Sequence, residues 1–174
     1  MSALANRPKN LSFLSQVGFK FELARSPALN FFIQKVRFPD VSLPQLFQPN
    51  PFVKAPVPGD HLDYGNIEIT FKLDEDMRSY FEMYDWLVAL GKPDDFTESA
   101  AIYQKPTFDG APVFSQGCLT ILNGNMMPNV QVIFEDMLPV RLSGFELQTD
   151  ANDIQYITAT MELSYRVYKY SYVT

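Results

Sequence analysis

Histidine and cysteine are nearly missing from this sequence, with His61 and Cys118 each standing alone. One thiol cannot close an intrachain disulfide, and one imidazole with one thiol gives no cluster at a metal-ligand spacing. His61 lies between Asp60 and Asp63 in GDHLDYG, which reads as a polar turn. Cys118 falls inside an apolar strand pattern, as a small buried hydrophobe would. Basic residues are also scarce: 14 Lys and Arg against 20 Asp and Glu leave a net charge of −6. That excludes a basic surface that wraps nucleic acid, though an acidic surface past which nucleic acid slides is compatible with it. No apolar run approaches the ~20 residues that span a bilayer, so no membrane partner is expected. The opening MSALANRPKNLSF lacks the charged-then-apolar order of a signal peptide. A protein made and used, or assembled, in a cytoplasm is expected.

The motifs of chemistry are missing too. Gly59 and Gly65 flank no Lys-Ser/Thr pair, so no phosphate loop is indicated. Asp150, Asn152 and Asp153 resemble a calcium loop loosely, but Gln155 and Met161 stand where its glycine and glutamate belong. No nucleophile, base and orienter can be assembled. No catalytic residue, metal or cofactor is expected, and a non-enzymatic protein is the reading.

What is present is aromatic: 15 Phe and 9 Tyr in 174 residues, a bias towards β structure or a large interface. The clearest stretch is 66–93. Ile67, Ile69, Phe71 and Leu73 alternate with Glu68, Thr70 and Lys72, the period of a strand with one wet face. Met77, Tyr80, Phe81, Tyr84, Leu87 and Val88 then recur at helical spacing. Asp74 suits the cap, Glu75 and Asp76 the first turn, and Gly91 with Pro93 the stop. Arg78, Glu82, Asp85 and Ala89 form the stripe for water. The Tyr80, Phe81, Tyr84 and Val88 side is expected on the chain's own sheet. Met83, Trp86 and Leu90 are expected under a loop or against a neighbouring subunit.

Along the rest of the chain, 1–16 reads as an arm and 17–174 as one domain. Strands are expected at 17–23 and 30–38, where apolar residues occupy both faces at the start. Segment 39–58 holds Pro39, Pro44, Pro49, Pro51, Pro56 and Pro58 beside Leu43, Leu46, Phe47, Phe52 and Val53. Prolines exclude it from a central strand. It is either a loop folded over the core or a projection that docks on a neighbour through Leu43, Phe47, Phe52 and Val53. A second long connection covers 94–112. Strands follow at 117–122, 130–134 and 140–147, with a break at Met137 to Pro139. The last strand, from Ile157 to Tyr168, spans roughly 35–40 Å, about twice the usual length. A sheet that continues into a neighbouring subunit could use it. Mainly β structure with one flanking helix (α+β) is the expected class.

Three stretches carry a resemblance: VRFPDVSLPQ…VKAPVPGD, GDHLDYGNIEITFKLDEDMRSYFEMYDWLVAL and FEDMLPVRLSGFELQTDANDIQYITATMELSY. Their order is similar to that of the tail tube proteins of contractile-tailed bacteriophages. The resemblance implies an antiparallel β-sandwich or half-barrel with a flanking helix. It also implies hexameric rings, stacked into a hollow tube whose inner wall is a continuous barrel. The last strand would supply that wall, with Thr158, Thr160, Glu162 and Ser164 facing a lumen through which DNA passes. The implied partners are copies of the chain and other tail proteins such as sheath, baseplate and terminator. The implied location is the virion, assembled in the host cytoplasm. Shaft, terminator and baseplate ring stay open, because the arm 1–16, the 94–112 connection and the tail YRVYKYSYVT depart from a plain tube subunit. The alternative is a monomeric or dimeric β-rich binding module that uses the 39–58 segment.

Overall fold

A computed structural model describes residues 12–49, 51–91, 113–149 and 155–173. The 94–112 connection and most of the arm 1–16 lie outside the described residues. The strands are β1 (Phe19–Leu23), β2 (Ile33–Arg37), β3 (Val41–Ser42), β4 (Gln45–Gln48), β5 (Ala55–Pro58), β6 (Asp63–Tyr64), β7 (Ile67–Lys72), β8 (Ser115–Leu122), β9 (Pro128–Leu142), β10 (Thr158–Ser164) and β11 (Val167–Tyr172). The helix α1 covers Arg78–Gly91, and a single 3-10 turn, Leu29–Phe31, precedes β2. The fold is mainly antiparallel β with one helix, as the sequence predicts.

Seven strands form one antiparallel sheet in the order β1-β8-β9-β10-β7-β2, with β11 also beside β9. The spine is β9, 15 residues long. Its first half pairs with β8 and β11, and its second half with β10. The break expected at Met137 to Pro139 is a kink inside one strand. Asp136 takes φ 55°, a left-handed conformation Asp tolerates better than most residues. Pro139 sits opposite Leu163, where the pairing register shifts, and a bulge is where a strand accepts proline. The expected strand at 140–147 ends at Leu142.

The last strand behaves in the same way. β10 and β11 are one ribbon with a step at Tyr165 and Arg166, paired along β9 throughout. The steps in the two strands face each other: Arg166 N–H donates to Glu135 O at 3.0 Å. The Arg166 guanidinium reaches Asp136 at 2.5 Å and Glu135 at 2.8 Å. The Asp136 carboxylate, then Glu135, holds the Arg166 pKa above its ordinary value. Lys169, the nearest donor to Glu135 at 2.6 Å, holds that carboxyl below its ordinary range.

One side of the sheet is the core. β7 alternates buried Ile67, Ile69 and Phe71 with Glu68, Thr70 and Lys72, and β10 alternates buried Ala159, Met161 and Leu163 with polar residues. Fully burying such side chains contributes roughly 1.5–3 kcal/mol each. Gly117 is glycine of necessity: a Cβ there would meet Met137 Sδ at 2.4 Å and Phe21 Cζ at 3.1 Å. Leu29, Phe21, Leu23, Leu119, Val132, Phe134 and Met137 complete the interior with the helix.

The helix starts one turn later than its sequence implies. Asp74 is the cap: its carboxylate accepts from the N–H of Arg78 (3.1 Å) and Ser79 (3.3 Å) and from Ser79 Oγ–H (2.6 Å). Those bonds, the Ser79 hydroxyl first, lower the Asp74 pKa. Glu75 and Asp76 lie in a turn before it, and Met77 takes φ 52°.

Candidate assembly surfaces

Among the described residues no group of three His, Cys, Asp or Glu side chains converges to hold a metal ion. His61 is exposed on a projecting loop, and Cys118 is half-buried, 3.9 Å from Thr120 Oγ1. A recess of about 340 Å³ between the end of β1 and β8 is lined mainly by Leu23, Ala24, Pro27, Gly117, Cys118 and Ile133. Glu22, the cross-strand neighbour of Cys118, also lines it and is ion-paired with Lys20. What the molecule offers instead is three surfaces.

The first is the face of the sheet opposite the core. Thr158, Thr160, Glu162 and Ser164 all alternate off the core side of β10. They share that face with Lys72, Thr70 and Glu68 of β7, and Thr70 and Thr160 hydroxyls lie 3.2 Å apart. A row crosses the sheet as Arg141, Glu162, Glu68 and Arg37. Each arginine holds its neighbouring glutamate, Arg141–Glu162 at 3.3 Å and Arg37–Glu68 at 3.4 Å. Lys72 and Lys35 stand on the same face outside these two pairs, Lys72 4.8 Å over the Tyr156 ring; such exposed pairs each contribute at most about 1 kcal/mol.

The second surface is the Pro-rich segment, which is not a loop folded over the core. Chain from 40 to 65 leaves the sheet as a hairpin, with β3 paired to β6 at its root and β4 paired to β5 further out. Gly65 N–H donates to Asp40 O (2.9 Å), and Gly59 N–H to Pro44 O (2.8 Å). Every residue of β4 and β5 is exposed. Leu43 and Val53 are exposed, as are Phe47 at 60% and Phe52 at 92%. A two-stranded ribbon with apolar side chains on both faces is marginal alone in water. Aromatic rings tie its root to the sheet: Phe38 and Tyr64 pack on Tyr168 at 5.4 and 5.7 Å, and Tyr64 on Tyr165 at 5.8 Å. Burial, then Tyr168 and Tyr64, pushes the Tyr165 hydroxyl up to about 12. That hydroxyl is buried without a hydrogen-bond partner.

The third surface is the helix, where the expected faces are exchanged in part: Tyr80 packs on the core as expected, and Val88 is half-buried. Met83 and Trp86 are 1% and 2% exposed and belong to the core, with Ser79 and Ala89. Trp86 Nε1–H donates to Val113 O at 3.3 Å, and the Arg25 guanidinium stacks 5.1 Å over its ring. Burial lowers the Arg25 pKa. Met83 and Trp86 therefore leave no surface for a neighbour, and Leu90 is half-buried against the same core. Phe81 and Tyr84, expected on the sheet, are the half-exposed flank. The wheel misleads because small Ser79 and Ala89 let the helix approach the sheet on their side. Glu82 accepts from Ser26 Oγ–H, so even the water stripe is partly engaged. The signal that finds this face is Ser79, Met83, Trp86 and Ala89, an i, i+4, i+7, i+10 row with small residues at its ends.

No protein-family model matches the sequence, and no curated protein matches it. Solved structures do match. The tube-terminating cap of the anti-feeding prophage superposes with a TM-score of 0.68 at 11% identity, covering 99% of this chain and 100% of that one. A chain of the sheath/tube terminator of the PVC extracellular contractile injection system, in its extended state, gives 0.64 at 10% identity, covering 93% and 99%. A chain of the PVC sheath–tube complex gives 0.61 at 12% identity, covering 99% of each. Identity this low speaks for the fold alone. The chain carries the tube fold of contractile-tail proteins.

Proposed function

We propose that this protein is a non-enzymatic structural subunit that assembles into hexameric rings, which form or close the tube of a phage-type contractile tail. The observation that carries the reading is the end-to-end match to a tube-terminating cap, with a TM-score of 0.68 and coverage of 99% and 100%. The projecting hairpin supports it, because Leu43, Leu46, Phe47, Val53, Val57 and Leu62 keep between about two fifths and two thirds of their surface in water in one copy. The face opposite the core supplies the lumen wall, with Thr158, Thr160, Glu162 and Ser164 towards the hole. Its two arginines already hold carboxylates, which leaves Lys35 and Lys72 as the cations a passing DNA chain could touch. The hairpin, through Leu43, Phe47, Phe52 and Val53, reaches a neighbouring subunit or ring. Sheath, baseplate or terminator proteins cover the remaining surface of a particle assembled in the host cytoplasm.

Negative-stain images and light scattering of the purified full chain test this. Rings or short tubes are the expected result. Compact monomers at every concentration would reject ring assembly and leave a small binding module that uses the hairpin. Phe47→Asp combined with Phe52→Asp is expected to block assembly and leave the monomer's circular dichroism unchanged. Unchanged assembly would remove the hairpin from the interface.

A further inference from the structure

We propose that β4 of one copy adds edge to edge onto β11 of a second copy, so that the hairpin extends its neighbour's sheet through one edge alone. The inference rests on the ring reading above and names the surface and the strand that meet.

The hairpin has one open edge and one closed edge. Gly59 N–H donates to Pro44 O, and the same register continues through Leu46↔Val57 and Gln48↔Ala55. The N–H groups of Ala55, Val57 and Gly59 therefore face β4. Pro56 and Pro58 occupy the alternate positions, so the outer edge of β5 lacks its donors there. On β4 the residues opposite those prolines are Phe47 and Gln45, whose N–H and C=O groups point outward. A strand can add at β4, and β5 is sealed against it.

The sheet likewise has guarded edges and one unguarded edge. β1 carries the exposed ion pair Lys20–Glu22, and β2 carries Lys35 and Arg37 with a register shift between Ile33 and Lys35. The second half of β9 carries Pro139 and Arg141. Charges, bulges and proline are the devices that stop strand addition. β11 has no proline and no register shift along its pairing, and it carries one charge, Lys169. Val173 N–H donates to Asn129 O at 2.9 Å, so odd-numbered residues face β9. The backbone groups of Tyr168, Tyr170 and Tyr172 then face the open side. Tyr170 and Tyr172 are largely exposed, although they stand opposite Val132 and Val130 of the core-facing row. Phe47 set against Tyr170 gives a cross-strand aromatic pair.

Two single-cysteine variants of the full chain test the pairing, Phe47→Cys and Tyr170→Cys, each with Cys118→Ala. On mixing and oxidation under assembling conditions, a crosslinked dimer is expected that neither variant forms alone. A second variant, Gln45→Pro, removes an outward N–H and no bond of the hairpin itself. It is expected to raise the concentration needed for assembly roughly tenfold, as loss of one or two hydrogen bonds predicts, while Pro56→Ala leaves it unchanged. No crosslink in a wild type that assembles, or a folded Gln45→Pro that assembles normally, overturns the pairing and leaves the ring reading standing. A wild type that never assembles removes both. Should Gln45→Pro misfold, the crosslink alone decides.

Discussion

The sheet around β7 and β10 and the hairpin of β4 and β5 are built from similar residues and have opposite fates. Ile67, Ile69 and Phe71 alternate with polar neighbours, and their apolar face is fully covered within one copy. Leu46 and Val57 occupy one face of the hairpin and Phe47 with two prolines the other, and neither is covered. The sheet completes its burial by folding, whereas the hairpin can complete it only by association. In the proposed assembly the same hydrophobic term appears as monomer stability in one region and as affinity in the other.

The sharpest way to break that division is to truncate one phenylalanine in each region. Phe71→Ala empties a fully buried site and is expected to cost about 3–5 kcal/mol of unfolding free energy. Phe47→Ala is expected to cost under about 0.5 kcal/mol in the monomer while weakening assembly severalfold. Urea unfolding at a concentration too dilute for rings, together with sedimentation at high concentration, measures both. A Phe47→Ala monomer as destabilised as Phe71→Ala would mean that the hairpin belongs to the folding unit.

Much of this was legible in the sequence wherever one face of an element is wet. The strand at 67–72, the ribbon from 158 onward and the capping role of Asp74 follow from period and chemistry alone. Sequence reasoning fails where two faces compete. The helix is apolar over more than half its circumference, and the side that packs was decided by Ser79 and Ala89, whose smallness reads as weak hydrophobicity. Pro139 reads as a strand end because a bulge depends on the partner strand, which no local window contains. The hairpin hid behind its prolines: their spacing at alternate positions suits an outer edge, but that is visible only once β4 is placed beside them.

The two regions also contain two close-packed glycines, and replacing them sharpens the contrast. Gly117→Ala forces a methyl onto Met137 and Phe21, and overpacking there is expected to cost about 1–3 kcal/mol in global unfolding. Gly59→Ala brings a methyl to 2.6 Å from Pro44 O, a backbone atom that cannot swing aside. Its expected effect is confined to the hairpin: faster amide exchange at Gly59 and poorer assembly, with little change in melting temperature. A large fall in melting temperature for Gly59→Ala would show that the hairpin root is coupled to the core.

A smaller effect is local to the sheet-to-helix junction. Asp74→Ala removes the cap and is expected to cost about 1 kcal/mol, whereas Asp74→Asn keeps most of the capping geometry. The carboxyl pKa is depressed in the folded protein, so its contribution is present above the unfolded carboxylate range and is lost as pH falls through the lower folded value. The wild type is therefore expected to converge on the Asn variant in acid and to exceed it near neutrality. Parallel pH profiles for the two would show that the charge contributes nothing.

The smallest change lies at the seam where the hairpin root meets the sheet. Tyr165 is buried among Tyr64, Phe134 and Tyr168, with a hydroxyl that finds no partner. An unsatisfied buried hydroxyl is a cost to the fold, so Tyr165→Phe is expected to be neutral, or stabilising by up to about 1 kcal/mol, at pH 8. The pH dependence separates this from a packing effect. With a folded pKa of about 12, above the ordinary tyrosine value near 10, the group favours folding fully below the unfolded value. That advantage is lost as pH rises through the folded value, because the unfolded chain releases the proton first. The wild type should lose stability relative to Tyr165→Phe between about pH 10 and 12, a difference that cancels the other tyrosines common to both chains. Paired thermal melts at pH 8 and pH 11 measure it. Equal shifts in the two proteins would mean that the hydroxyl reaches water, and that the seam opens in a single copy before any neighbour arrives to close it.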